Sequence, residues 1–240
     1  MTDREVGINM KKIGLIGAMD SEITAFRRDF HAVETPHKGI LCGSFSDYEI
    51  YICCSGVGKV NAAIAAQRLI DLCGVQYMIN SGVAGGLAKE IAKLDIVISK
   101  QLTYHDFSPL ELLDKYPPCS HMMQADAELC EKALHACDAL NEKLKKDGKL
   151  PFTSHLGTIV SGDCFVSSAE KAQQLRDDFD ALCTEMEGAS IAHVCTVAKI
   201  PFVIIRAISD FADEDAENSF ESFETVAADR AAFIVKELLS

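Results

Sequence analysis

The segment Pro201-Phe-Val-Ile-Ile-Arg206-Ala-Ile-Ser-Asp210 constrains the fold more than any other stretch of this 240-residue chain. It opens as an almost unbroken apolar run, the pattern of a strand covered on both faces within a parallel sheet. A sheet of that kind needs helices on both sides. The run then ends in a carboxylate. In open α/β sheets ligands bind beyond the carboxyl ends of the strands, which puts Asp210 where chemistry is usually done. Burial there disfavours the charged form, so the carboxyl keeps its proton closer to neutral pH, as a general acid must. On this segment alone, a helix-capping or surface-turn aspartate accounts for Asp210 equally well.

The rest of the chain alternates in the same way. Residues 12–19 read as a short apolar strand before a helix that begins near Asp20-Ser21-Glu22. Residues 48–55 read as a strand, 60–73 as a helix, and 77–80 as a strand leading into the glycine-rich Ser81-Gly-Val-Ala-Gly-Gly86. A further strand follows at 95–99. Helical periodicity covers 126–146, 169–180, 188–198 and 220–239, with strand-like segments at 156–161, 181–186 and 201–208. The polar stretch 141–149 is a loop or a frayed helix end. The pattern predicts an α/β fold, a three-layer α/β/α sandwich around a mixed, largely parallel central sheet. Residues 1–11 form an N-terminal extension and 12–240 a single domain.

Bulk chemistry excludes several partners. A formal net charge of −13 argues against nucleic acid or an anionic membrane, since either calls for a basic face. No apolar stretch approaches the roughly 20 residues of a membrane span. The ten cysteines lie scattered in apolar segments without a C-x-x-C pair, as small buried hydrophobes in a reducing compartment, and the chain is expected in the cytoplasm. Seven histidines include no H-x-x-x-H pair, and His121 beside Cys119 is too little for zinc. No metal and no cofactor is expected. Gly14-Leu-Ile-Gly17 lacks the spacing of a dinucleotide fingerprint, and Ser55-Gly-Val-Gly-Lys59 is no phosphate loop, because positions 53 and 60 are Cys and Val.

Four predicted strand ends carry unusual residues. After the first come Asp20 and Glu22; Asp20 suits a helix cap, which leaves Glu22 available as a base. Three glycines within residues 81–86 either let backbone approach a ligand and present its N–H groups, or form a tight turn. In Thr184-Glu-Met-Glu-Gly188, Glu185 and Glu187 share a strand face, and a carboxylate there can accept both hydrogen bonds of a vicinal diol; a capping box is the competing reading. The fourth end is Ser209-Asp210, with Arg206 on the same face to neutralise a carboxylate or to form a structural ion pair.

Together these motifs closely resemble the bacterial 5′-methylthioadenosine/S-adenosylhomocysteine nucleosidases of the purine nucleoside phosphorylase superfamily. The resemblance rests on Ile13-Gly-Leu-Ile-Gly-Ala-Met19 with Glu22, Ser55-Gly-Val-Gly-Lys59, Asn80-Ser-Gly-Val-Ala-Gly-Gly-Leu87 and Tyr104-His-Asp106. It continues through Val160-Ser-Gly-Asp-Cys-Phe165, Glu185-Met-Glu187 with Ala192-His-Val194, Arg206-Ala-Ile-Ser-Asp210 and Ser219-Phe220. It therefore spans nearly the whole chain from residue 12.

The resemblance implies a nucleoside phosphorylase-like fold and hydrolysis of an adenine N-glycosidic bond without a cofactor. It assigns Glu22 as the base that activates water, assisted by Arg206, and Asp210, positioned by Ser209, as the acid that protonates adenine N7. It places Glu187 on the ribose hydroxyls beside Met186 and Glu185, and Phe165 on the adenine face with the Val166 backbone at its edge. Phe220 would cover the sugar and the thioalkyl group. Val83 stands where enterobacterial members carry a serine, so one hydroxyl near the sugar and water is missing. Family members are homodimers, and here residues 107–118 would close the partner's 5′-substituent pocket.

Overall fold

The structure, a computed structural model, describes residues 10–213 and 216–240, apart from the side chains of 217–222 and 224. Among the described residues the strands are β1 (Lys11–Gly17), β2 (Val33–Glu34), β3 (Ile40–Phe45), β4 (Tyr48–Cys54), β5 (Tyr77–Gly86), β6 (Ile96–Tyr104), β7 (Met123–Gln124), β8 (Ser154–Ser161), β9 (Ala181–Glu185) and β10 (Phe202–Asp210). The helices are α1 (Asp20–Asp29), α2 (Lys59–Arg68), α3 (Glu111–Lys115), α4 (Ala127–Lys146), α5 (Ala169–Phe179), α6 (Gly188–Ala198) and α7 (Ala216–Leu238). A π-helical turn, Leu69–Cys73, continues α2.

One mixed sheet carries all the strands. β4, β1, β5 and β10 run parallel through its middle, and β3 and β2 extend it antiparallel at one edge. Beyond β10 lies antiparallel β6, followed by parallel β8 and β9. All nine residues of β10 are buried, and they alternate between two apolar layers. Val203, Ile205 and Ala207 pack with residues of α1, α4 and α7. Phe202, Ile204 and Ile208 pack with α2 and α6. The unbroken apolar run therefore has the cause expected of it, a helical layer on each face. The α/β/α sandwich is the fold observed. Alanines at 62, 65 and 66 on α2 and at 189 and 192 on α6 are all buried, and their small side chains let these two helices approach closely.

The sheet also bends back on itself. One edge of β5 pairs with β10 along its length, while the opposite edge pairs with β1 only as far as Asn80 and with antiparallel β9 only at Gly85–Gly86. Between Ser81 and Ala84 that edge has no strand partner among the described residues. A change of strand neighbour of this kind leaves a crevice at the carboxyl ends of the strands.

Several elements differ from expectation. The glycine-rich segment is the second half of β5 and not a turn. The β2–β3 antiparallel pair has too short and too mixed a pattern to stand out in sequence. α4 runs on to Lys146, so most of 141–149 is helix. α7 begins at Ala216, ahead of the expected residue 220.

Candidate active site

The crevice is filled from the β1 side by Glu22. Met19 occupies the N-cap position of α1, and Glu22, in the first turn, folds back over it. Glu22 Oε2 accepts from the amides of Ala18 (2.6 Å) and Met19 (3.1 Å), and Oε1 accepts from Val83 N at 3.0 Å on the open edge of β5. The expectation that Asp20 caps while Glu22 stays free is thus corrected: Glu22 itself reaches back to the cap amide. Burial pushes the Glu22 pKa up, opposed by the Arg206 charge and by the three amides. A β-carbon on Gly82 would fall onto Glu22 Oε1, so only glycine leaves room for this carboxylate.

Asp210 enters from the other side of β5. A bulge between Ile208 and Asp210 interrupts the alternation of β10 and brings Ser209 and Asp210 together beside Ala84 and Gly85. Ser209 Oγ donates to Asp210 Oδ2 at 2.7 Å, and Ala212 N donates to Oδ1 at 2.8 Å. Asp210 is 2% exposed, and burial raises its pKa, with the Asp213 charge acting in the same direction. A β-carbon on Gly85 would stand 2.9 Å from Asp210 Oδ1. Gly82 and Gly85 thus mark the stations of the two carboxyls, roughly 10 Å apart along an extended strand. The glycines make space for the two carboxylates.

The Glu185-Met186-Glu187 segment divides its two acids sharply. Glu185 Oε2 accepts from Glu187 N (3.0 Å), Gly188 N (2.7 Å) and Arg206 Nη2 (2.5 Å), and Oε1 accepts from Ser161 Oγ. Both oxygens thus accept from protein donors, and Glu185, grouped by sequence with the substrate-binding residues, anchors the start of α6 while also lining the cavity. Arg206 is wholly buried and bonds to Glu185, to Asn80 Oδ1 and to Ile205 O. Glu22 feels its charge but not its hydrogen bonds. The sequence had left open whether Arg206 neutralises a carboxylate or forms a structural ion pair, and it does both through Glu185.

Among the described residues Glu187 has one protein donor, Gly58 N at 2.7 Å. Burial and the neighbouring Glu185 push its pKa up to about 7.

A cavity of about 310 Å³ joins these groups, large enough for a small ligand. Glu22, Val83, Met186, Glu187, Ser209 and Asp210 all line it, and Phe165 and Val166 form part of its wall. Phe165 is 43% exposed, while Val166 is buried. Among the described residues the lining carries four carboxyls and no lysine or arginine. The Phe220 side chain and Ser219 lie outside the described side chains. Four groups here were missed as functional from sequence: Asn80 and Ser161, which hold Arg206 and Glu185, Gly58, which holds Glu187, and Ala212, which holds Asp210. Their roles are set by pairings across the fold, and only the polar Asn80 and Ser161 on otherwise apolar strands gave any local signal.

No helix among the described residues is long and apolar enough to cross a membrane, and no group of three or more potential metal ligands occurs among them. The Phosphorylase superfamily matches residues 12–240. Among solved structures, the 5′-methylthioadenosine/S-adenosylhomocysteine nucleosidase from Neisseria meningitidis, in complex with methylthio-immucillin-A, is 34% identical. That similarity covers 95% of this chain and 98% of the other, with a TM-score of 0.86. The nucleosidase of the same name from S. pneumoniae is 30% identical over 95% and 98% of the two chains, with a TM-score of 0.85. A futalosine hydrolase of Helicobacter pylori is 32% identical over 95% and 97%, with a TM-score of 0.83. Superfamily match, fold and near full-length similarity agree, and the chain belongs to the phosphorylase superfamily and, within it, to the family of the 5′-methylthioadenosine/S-adenosylhomocysteine nucleosidases.

Proposed function

We propose that this chain hydrolyses the N-glycosidic bond of 5′-methylthioadenosine and S-adenosylhomocysteine, releasing adenine and the 5-substituted ribose, with 5′-deoxyadenosine as a further substrate. The observation that carries this reading is the pair of differently held buried carboxyls, Glu22 and Asp210, in one cavity. Adenine leaves poorly until N7 is protonated, and the ribosyl group then departs with oxocarbenium character. Such a reaction needs one neutral acid and one ionised base. Asp210, with its raised pKa and one amide donor among the described residues, fits the acid at N7. Glu22, held by three amides near Arg206, fits the base on water. Glu187 takes the ribose hydroxyls and sets negative charge beside the developing cation. Met186 packs on the sugar, Phe165 stacks on the adenine, and the Val166 backbone reads its edge. Arg206 and Glu185 act as positioning groups, and Val83 supplies an apolar wall where a hydroxyl would otherwise help to hold water.

Phosphorolysis on the same fold would require a home for a phosphate dianion. The lining offers carboxylates there, and the nearest guanidinium is already bonded to Glu185. Close approach of phosphate to Glu22 would cost several kcal/mol, about 4 at 4 Å and an effective dielectric of 20. Adenine release from methylthioadenosine is expected to proceed at the same rate with and without phosphate; strict dependence on phosphate would overturn hydrolysis. The similarity to a futalosine hydrolase favours a second reading, an adenosine-like substrate with a bulkier 5′ substituent, which kcat/KM measured on both classes of compound would separate.

We further place the enzyme in the cytoplasm, in S-adenosylhomocysteine removal and methionine salvage, as a homodimer whose residues 107–118 close the partner's pocket. The exposed Phe107, Leu112 and Tyr116 support that contact. Ten free cysteines, seven of them buried, support a reducing compartment.

A further inference from the structure

One cluster of charged side chains stands beside the cavity without lining it. Lys59 Nζ sits 2.6 and 2.7 Å from the two oxygens of Asp106 and 3.7 Å from Asp163 Oδ2. Lys59 N donates to Asp163 Oδ1 at 2.8 Å, and Asp163 N donates to Asp106 Oδ2 at 2.8 Å. The ammonium also lies 5.5 Å from the centre of the Tyr104 ring. This knot ties together three loops that leave three different strands: β4 into α2, β6 toward α3, and β8 toward α5. A knot that only stiffened the surface could sit anywhere on these loops. Here two of the three loops run within two residues of a cavity group, and Asp106 on the third bridges them. Gly58, next to Lys59, donates to Glu187, while Cys164 and Phe165 follow Asp163 directly. Gly58 has φ +97°, a conformation open to glycine but strained for other residues, so its amide direction depends on what holds the flanking chain. Side chains 22% and 27% exposed at Lys59 and Asp106 shield the ion pair from full solvent screening, unlike an ordinary surface pair.

We infer that Lys59, Asp106 and Asp163 form a positioning device for ribose recognition, which aims the Gly58 amide at Glu187 and sets the Phe165 loop at the same time. The inference rests on the nucleosidase reading for Glu187's ligand, but the aiming of the amide does not. The sequence Ser55-Gly-Val-Gly-Lys59 thus resembles a phosphate loop only superficially: its lysine points at two aspartates, and its glycine amide serves a carboxylate of the protein.

The test is Asp106→Asn, which keeps the shape of the side chain but removes its charge, with Lys59→Arg as a charge-conserving companion. Amide hydrogen exchange in the full chain is expected to show Gly58 losing protection in Asp106→Asn, while amides inside α2 such as Ala65 keep theirs. With methylthioadenosine, Asp106→Asn should lose about tenfold or more in kcat/KM, mainly through KM, as when a hydrogen bond to a charged group is lost. Lys59→Arg, which keeps the charge opposite Asp106, should lose much less, within about threefold of the parent. In a Glu187→Gln background the same Asp106→Asn change should cost less than threefold, because the group it positions is already altered. Unchanged Gly58 protection would overturn the positioning role whatever the substrate. Equal penalties in both backgrounds would show a general structural effect and also overturn it. An unaltered chain that releases no adenine would instead remove the nucleosidase reading, and exchange at Gly58 would still decide the knot.

Discussion

Glu22 and Asp210 are buried to nearly the same degree, 5% and 2% exposed, and burial raises the pKa of both, yet the groups that oppose that rise differ. Three backbone amides converge on Glu22, and Arg206 adds its charge from nearby. Each of those interactions favours a carboxylate over a carboxylic acid. Among the described residues Asp210 has one amide and a serine hydroxyl, and the charges of Asp213 and Lys93 act on it in opposite directions. Depth of burial therefore does not separate the proposed acid from the proposed base. The count and kind of donors does, and those donors come from where each residue stands: Glu22 at a helix start facing an open strand edge, Asp210 at a bulged strand end.

The sharpest way to break this comparison is to neutralise each carboxyl without changing its shape. Asp210→Asn should have the larger contrast between activity and stability. A lost general acid lowers kcat by about 10²–10⁴-fold. The asparagine meets its neighbours without conflict, since its oxygen can accept from Ala212 N and the Ser209 hydroxyl can turn to accept from its NH₂ group. The stability effect follows from linkage. A carboxyl whose folded pKa is raised stabilises the fold below its unfolded pKa, and that contribution is lost as pH rises through the folded value. At pH 7 the Asn variant should therefore melt no lower than the parent. Retained activity would remove Asp210 as the acid.

Glu22→Gln should behave differently on both counts. The loss of a general base again removes about 10²–10⁴-fold in kcat. Here, however, both carboxylate oxygens face N–H donors, so the new NH₂ group must point at one of them. A buried donor left unsatisfied costs about 1–3 kcal/mol, and each kcal/mol lowers Tm by about 2–4 °C at this size. Calorimetry on the two variants side by side checks the contrast. A Glu22→Gln protein that melts with the parent would mean that the three amides do not hold the carboxylate as described.

Both residues were legible in the sequence because each follows an apolar strand, where a charge is out of place. What sequence could not show is how the charges are shared. Glu185 and Glu187 are two positions apart with nearly identical local context, and only the start of α6 at Gly188 decides which of them is consumed by backbone amides and Arg206. Gly82 and Gly85 read as loop residues, because a glycine that makes room for a distant side chain looks the same as one that turns the chain. The two-residue strand β2 fell below any periodicity threshold. By contrast, β10 could be placed from its sequence, since a short apolar run rich in Val and Ile and opened by Pro201 suits a doubly covered strand better than a buried helix.

The smallest expected effect tests the finer half of the comparison, whether the Ser209 hydroxyl tunes Asp210 or merely packs against it. Its hydrogen bond to Oδ2 favours the ionised form and so opposes the rise that burial imposes. Ser209→Ala removes that opposition and should raise the Asp210 pKa further. Activity that depends on protonated Asp210 declines as pH rises through this pKa, so the basic limb of kcat/KM should move to higher pH, by about one unit for a bond worth roughly 1.4 kcal/mol. Some loss of rate on the plateau is expected as well, because the hydroxyl also fixes the carboxyl's orientation. The direction of the limb is the decisive reading. If it moves to lower pH, the serine stabilises the protonated acid, and the donor count that distinguishes Asp210 from Glu22 would need to be revised at this position.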